Sequence, residues 1–492
     1  MVELVLLGSF LVFLFLGVPI AFSMGLSAML TIVTEQSVSA LLPTTGIMFA
    51  SMASETLLAI PFFILAGVIM EMTGISTRLV AFADTLFGHR KTGIALTTII
   101  AAMVFASISG SGPATVAALG GILIPALVRH GYSKRHAASL MASAGEMGII
   151  IPPSIAFIVF AVVASDYERV SITRLFAAGV VPGILLGVAF YLVARFLPRH
   201  AEAAVDNAKQ HLTNAADRLG VGPAAAQQRA TLIESGGSSV AATAPETAVD
   251  LLDRHPDESD IRVGVRTRRA SRQEVGQAFV KALPGLIMPL IILGGIYGGI
   301  FTPTESAAVA VVYALIVGIF LSREIKLGDF FRIFAAAGAQ SARIMFIIAT
   351  ASLFAYVITK YRIAATVADG VLSLTDNAIV IMLLVNLVLL VGGMFLDAVS
   401  AFYLFVPLFV PILLELGYDI TTIGVFMTIN LALGLVTPPV GLDLFVAAGI
   451  AKIPFGEAVK GIGPFLATGI GVLLLVAFVP WTSNFLPDLM GL

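Results

Sequence analysis

The chain has 492 residues, 58% of them hydrophobic and 12% charged, with a mean hydropathy of +1.01 and a net charge of −2. Soluble domains carry roughly a quarter charged residues, so half that level excludes an ordinary soluble enzyme and points to lipid. The near-neutral charge argues against a nucleic-acid binder, and the absence of cysteine excludes disulfides, thiolate metal sites and cysteine nucleophiles.

The first apolar stretch, residues 2–33, would make one helix of about 48 Å at ~1.5 Å per residue, too long for a single span. Gly17-Val18-Pro19 falls in its middle and predicts two short tilted helices. Glu3 is its only early charge, so it reads as mature membrane sequence and not as a signal peptide. Residues 92–128 then run without a charge but contain Ser107-Ile108-Ser109-Gly110-Ser111-Gly112-Pro113-Ala114-Thr115. A helix cannot continue comfortably through Gly-Ser-Gly-Pro, so a re-entrant hairpin is predicted over about 93–126. Basic loops flank both of its ends, His89-Arg90-Lys91 and Arg129 through His136, which suits entry and exit on one face. Non-helical backbone at that depth is tolerated only against protein or a water-filled cavity. Its N–H groups would attract an anion, and the hydroxyls of Ser109, Ser111 and Thr115 could ligate a hard cation. A Gly/Ser packing seam between helices is the bland alternative.

Next comes Gly145-Glu146-Met147-Gly148-Ile149-Ile150-Ile151-Pro152-Pro153-Ser154, predicted as the break in a helix over about 137–165. A double proline removes two successive N–H donors and leaves carbonyls that a sodium ion could take; a plain kink is the competitor. Between 199 and 275 the composition turns to Ala, Arg, Ser, Thr, Gly and Asp, a cytoplasmic linker predicted to be disordered. Residues 283–321 repeat the opening shape and are divided at Thr302-Pro303-Thr304. A second hairpin is predicted over about 378–412, its tip at Phe395-Leu396-Asp397-Ala398-Val399-Ser400-Ala401. A second broken helix follows over about 421–450, around Leu433-Gly434-Leu435-Val436-Thr437-Pro438-Pro439-Val440-Gly441.

The two hydrophobic parts, 1–198 and 276–492, are copies. Pro125 and Pro411 stand 286 positions apart (411 − 125), as do Gly131-Tyr132 and Gly417-Tyr418, and the two Pro-Pro pairs; Pro19 and Pro303 are offset by 284 (303 − 19). The first Gly-Tyr loop carries Arg129, Lys134 and Arg135, whereas its partner, Glu415 to Asp419, has no Lys or Arg. The positive-inside rule therefore places equivalent loops on opposite faces, which makes the repeat inverted, although Lys360 and Arg362 run against this assignment. Inverted repeats with broken helices characterise secondary transporters; a channel or a scaffold could also be duplicated.

Acids inside apolar sequence are costly and usually functional. Asp397 is the only charge between Asn377 and Leu414 and lies in the second tip, as an ion ligand or ligand orienter. Asp443, just past the second Pro-Pro, reads equally well as functional or structural. Glu146 and Glu55 have no acidic counterpart in the other copy and read as residues facing water near helix ends. Trp481 reads as an interfacial anchor. No Walker-type G-x-x-x-x-G-K-[ST] is present, and the six histidines show no metal-ligand spacing.

The chain resembles the large membrane subunit of tripartite ATP-independent periplasmic (TRAP) transporters, the DctM-like family. The likeness is carried by Ser109-Gly110-Ser111-Gly112-Pro113-Ala114-Thr115, Gly148-Ile149-Ile150-Ile151-Pro152-Pro153-Ser154, Phe301-Thr302-Pro303-Thr304-Glu305, and Asn430 through Thr437-Pro438-Pro439-Val440-Gly441. The resemblance implies an all-α polytopic membrane protein of the ion transporter superfamily, with two hairpins and two broken helices in an elevator-type transport domain. It implies sodium as coupling ion, a small DctQ-like membrane subunit, a periplasmic substrate-binding protein, and an organic-acid substrate imported across a bacterial inner membrane. Carried over, the first sodium site would use Ser109, Gly110, Ser111, Gly145, Gly148 and Pro152. The second would use Asp397, Ser400, Gly434, Thr437 and Pro438. The anion would lie between the tips, near Ser111, Gly112, Thr115, Ser154, Asp397 and Asp443. A self-sufficient anion symporter of the same superfamily is the alternative. The 199–275 linker is longer than the family pattern leads one to expect.

Overall fold

A computed structural model of the chain describes residues 2–90, 92–197, 269–326, 328–375 and 377–492. The predicted linker lies outside the described residues up to position 268. Among the described residues there are helices and turns but no strand, and eight helices are long and apolar enough to cross a membrane; a further bent pair can make a ninth span.

In the first half, α1 (Val2–Phe15) and α2 (Ile20–Glu35) pack on each other around the turn at Gly17, whose φ of +80° suits a residue without a Cβ. They are followed by α3 (Thr44–Met52), α4 (Ala59–Met72) and α5 (Ile75–Phe87). The first predicted hairpin is α6 (Gly93–Ser109) and α7 (Gly112–Arg129), and the first broken helix is α8 (Lys134–Ile150) and α9 (Ile155–Ala164), bent by 45°. The half ends with α10 (Ile172–Phe196).

In the second half, α11 (Arg272–Tyr297) starts inside the predicted linker, because Ser271 and Glu274 form a capping box there. A second capping box, Thr302 with Glu305, starts α12 (Pro303–Ile316) where the division of 283–321 was predicted. After α13 (Asp329–Lys360) and α14 (Ile363–Leu374) come the second hairpin, α15 (Ala378–Gly393) and α16 (Ala398–Glu415), and the second broken helix, α17 (Ile420–Gly434) and α18 (Leu442–Ala451). Helices α19 (Phe455–Phe478) and α20 (Trp481–Leu489) follow, with Trp481 63% exposed.

The copies agree in atomic detail at their corners. Gly131 and Gly417 have φ of +90° and +84°, and the N–H of Tyr132 and Tyr418 donates to the carbonyl five residues back, Leu127 and Leu413. Ser133 and Asp419 then cap α8 and α17. Both Pro-Pro bonds, 152–153 and 438–439, are cis.

Helices α2, α3 and α4 lie on α13, α5 lies between α11 and α6, and α13 also packs on α16; α8 sits at the centre of α6, α7, α10, α17, α18 and α19. The broken helices cross between the halves: α9 packs on α16, with Phe160 edge-on to Phe402 at 5.6 Å, while α18 packs on α7 and α8. Each copy thus completes the hairpin of the other. Burial of large apolar side chains such as Phe157, Phe160, Phe402 and Phe426 makes this junction the core.

Candidate functional site: the two hairpin tips and the helix breaks

Tip 1 is built from local rules. Helix α6 ends at Gly110 in the left-handed region (φ +62°), Ser111 is extended, and Pro113 sits in the first turn of α7, where its missing N–H costs nothing. Thr115 Oγ1 donates to the Ser111 carbonyl (2.8 Å) and shares a hydrogen bond with Ser109 Oγ (2.9 Å), so the three predicted hydroxyl residues are joined. Thr115 is fully buried, whereas Ser109 and Ser111 are half-buried.

Break 1 closes onto this tip. A Cβ built on Gly148 would stand 2.8 Å from the Ser111 carbonyl oxygen and 3.1 Å from Thr115 Oγ1, and one on Gly110 would stand 3.3 Å from the Pro153 carbonyl oxygen. Ordinary side chains do not fit at Gly148; the glycine lets backbone meet backbone. Ser109, Gly110, Ser111, Gly145 and Gly148 of the predicted first site therefore gather at one place, with Pro152 in the adjoining break. Ser154 caps α9 and also donates its hydroxyl to the Ile149 carbonyl. That carbonyl, which the sequence left open for an ion, is thereby taken.

Tip 2 differs. Asp397 Oδ2 accepts from the N–H groups of Val399 (3.1 Å) and Ser400 (3.4 Å), and Oδ1 accepts from Ser400 Oγ (2.5 Å). The carboxylate caps α16, so Asp397 and Ser400 are brought together. Gly434 meets the backbone of Gly393 at the end of α15, where a Cβ would come within 2.4 Å. Thr437 turns its hydroxyl back to the Leu433 carbonyl at 2.6 Å. These contacts hold the second set around the tip and the break, but each polar side chain serves its own element.

Two polar features exceed what sequence reasoning found. Glu146 is fully buried in α8 and does not face water near a helix end, because α7, α18 and α19 surround that face of α8. Glu55, by contrast, is exposed as expected. Asp443 lies against tip 1: its Oδ2 would be 2.5 Å from a Cβ on Gly112 and 3.6 Å from one on Gly145. The second feature is a buried amide pair, in which Asn430 Nδ2 donates to the Oδ1 (2.8 Å) and the carbonyl (2.9 Å) of Asn386, tying α17 to α15. Lone amides in two apolar runs were the available signal. Among the described residues no group of three or more His, Cys, Asp or Glu forms a metal cluster.

The family model described as "Tripartite ATP-independent periplasmic transporter, DctM component" matches residues 7–482. The isethionate TRAP transporter permease protein DctMQ of Oleidesulfovibrio alaskensis is 37% identical over 97% of this chain, which spans 65% of that relative's length. The C4-dicarboxylate TRAP transporter large permease protein DctM of Pseudomonas aeruginosa is 36% identical over 96% of this chain and 95% of its own. The crystal structure of the Alcanivorax borkumensis YdaH transporter covers 97% of this chain and 98% of its own with a TM-score of 0.59 at 14% identity, a likeness of fold alone. Hairpins, crossed broken helices and family match agree, and the relatives are permease subunits and not enzymes: the chain belongs to the DctM family, the large membrane permease components of TRAP transporters.

Proposed function

We propose that this chain is the permease core of a sodium-coupled importer that takes a small organic acid from a periplasmic binding protein and moves it, elevator-fashion, across the bacterial inner membrane with a small DctQ-like subunit. The family implies the two partners, and the 37% relative carries both component letters in its name. The observation that carries the reading is the junction at tip 1, where the hydroxyls of Ser109 and Thr115 and the Ser111 carbonyl meet the Gly145–Gly148 turn of α8. Hydroxyl and carbonyl oxygens of this kind suit a hard monovalent cation. Neither tip contains Lys or Arg, so an anion held between them would be met by sodium and by N–H groups at helix starts. The relatives' printed substrates, isethionate and C4-dicarboxylates, are both small organic anions.

The uptake test uses the full chain with its neighbouring small subunit in proteoliposomes. Uptake should require both the binding protein and an inward sodium gradient. Uptake without the binding protein would establish a self-sufficient symporter instead, and uptake unchanged in choline would remove sodium.

The inverted orientation has its own support and test. Arg129, Lys134 and Arg135 cluster at the first corner, and a cavity of about 530 Å³ lined in part by His89, Arg90, Arg269 and Arg272 adds positive charge where α5 ends and α11 starts. Because the chain has no cysteine, single reporters are unambiguous. In intact cells a membrane-impermeant maleimide should label Glu415→Cys and spare Lys134→Cys. Equal labelling of both would put the two corners on one side and end the inverted reading.

A further inference from the structure

Glu146 and Asp443 come from opposite halves, and both are 0% exposed. All four of their carboxylate oxygens are buried without a hydrogen-bond partner among the described residues. They are neighbours: the Asp443 carboxylate stands 3.6 Å from the Cβ position of Gly145, the residue before Glu146. Gly112 and Gly145 make the space for the Asp443 carboxylate, since a Cβ at either position would approach its Oδ2.

Burying one unpaired carboxylate costs several kcal/mol, and a second of like charge beside it adds repulsion. Among the described residues no Lys or Arg pairs with either acid. A hard cation between them would supply the missing counter-charge and occupy oxygens that no protein donor reaches. The role is not inherited from the repeat, because the positions equivalent to Glu146 and Asp443 at an offset of 286 are Ala432 and Phe157.

We propose that Glu146 and Asp443 hold a sodium ion between α8 and α18 beside tip 1, separate from the hydroxyl and carbonyl groups of the tip itself. The site rests on the sodium-coupled reading and adds ionised carboxylates to it. Because one ligand comes from each half, the ion would pin α18 onto α7 and α8.

The experiment compares the purified full-length chain with its Glu146→Gln/Asp443→Asn double variant, by binding of ²²Na⁺ and by melting temperature in sodium, potassium, calcium or choline chloride at constant ionic strength. The double variant should bind one sodium ion fewer. It should lose at least half of the sodium-dependent rise in melting temperature, while melting no lower than the wild type in choline. Unchanged sodium stoichiometry in the folded variant, or a stabilisation carried by calcium and not by sodium, would overturn the site. Sodium-dependent uptake by the wild type is scored separately. Uptake that needs sodium together with unchanged stoichiometry sinks only this site, whereas wild-type uptake indifferent to sodium sinks the coupling reading. If the double variant does not fold, Asp443→Asn and Glu146→Gln singly provide the same measurement, each expected to weaken sodium binding at least tenfold.

Discussion

The two hairpin tips occupy equivalent places in the repeat, yet they handle negative charge in opposite ways. Tip 2 carries its own acid: Asp397, the equivalent of Ser111 at an offset of 286, folds back to cap α16 through two N–H groups and the Ser400 hydroxyl. Tip 1 has only hydroxyls, and its nearby carboxylate, Asp443, arrives on α18 from the other half. A cap satisfies the acid locally and fixes the turn. An acid delivered across the interface is left without a donor and reports whether the two halves are in contact. The two copies share a frame, and different side chains at equivalent positions of the tips give them different chemistry.

The largest effect should come from filling the glycine contacts on which both frames depend. Gly148→Ala brings a Cβ to 2.8 Å from the Ser111 carbonyl, and Gly434→Ala brings one to 2.4 Å from the Gly393 backbone. Backbone cannot swing aside as a side chain can, so each should cost about 1–3 kcal/mol of stability and more than tenfold in uptake. Gly121→Ala, with nothing within 4 Å, is the control and should melt no lower than the wild type and transport normally. Tolerance of alanine at Gly148 would mean that tip 1 and break 1 do not close as described.

A smaller effect separates capping from ion binding at tip 2. Asp397→Ala removes the cap, worth about 1 kcal/mol, and should also raise the sodium concentration for half-maximal uptake. Asp397→Asn keeps a good capping residue but loses the charge. It should melt within about 0.5 kcal/mol of the wild type, since replacement of one good capping residue by another is nearly neutral, yet still need several-fold more sodium. Wild-type sodium dependence in the asparagine variant would leave Asp397 a cap and nothing more.

Smallest is Thr115→Val at tip 1, which deletes the hydroxyl between Ser109 and the Ser111 carbonyl at nearly constant volume. The lost hydrogen bonds should cost about 1 kcal/mol and shift sodium dependence less than Asp397→Asn does. A larger shift at Thr115 than at Asp397 would reverse the comparison and make tip 1 the dominant ion site.

Much of this architecture is legible residue by residue, because its signals are local. Gly110 before Pro113, the Ser133 and Asp419 caps, the Thr302–Glu305 box and the two Pro-Pro pairs stop and start helices through their own backbone chemistry. The constant offset between copies follows from the same landmarks. Glu146 was misjudged because its fate is not local: nothing within several residues of it says that α18, nearly 300 positions later, covers that face. The Asn386–Asn430 pair is hidden for the same reason, since each amide alone is only a polar residue in an apolar run.

Composition and periodic landmarks by themselves determined that the chain lives in lipid, that it is duplicated, and where each half turns back or breaks, since sterics and missing N–H donors act within a few residues. Only the tertiary structure decided which half each broken helix serves, and so placed Asp443 beside Gly112 and sealed Glu146 from solvent. Such pairings depend on packing between segments hundreds of residues apart, where glycines permit contacts that no local rule of the chain encodes.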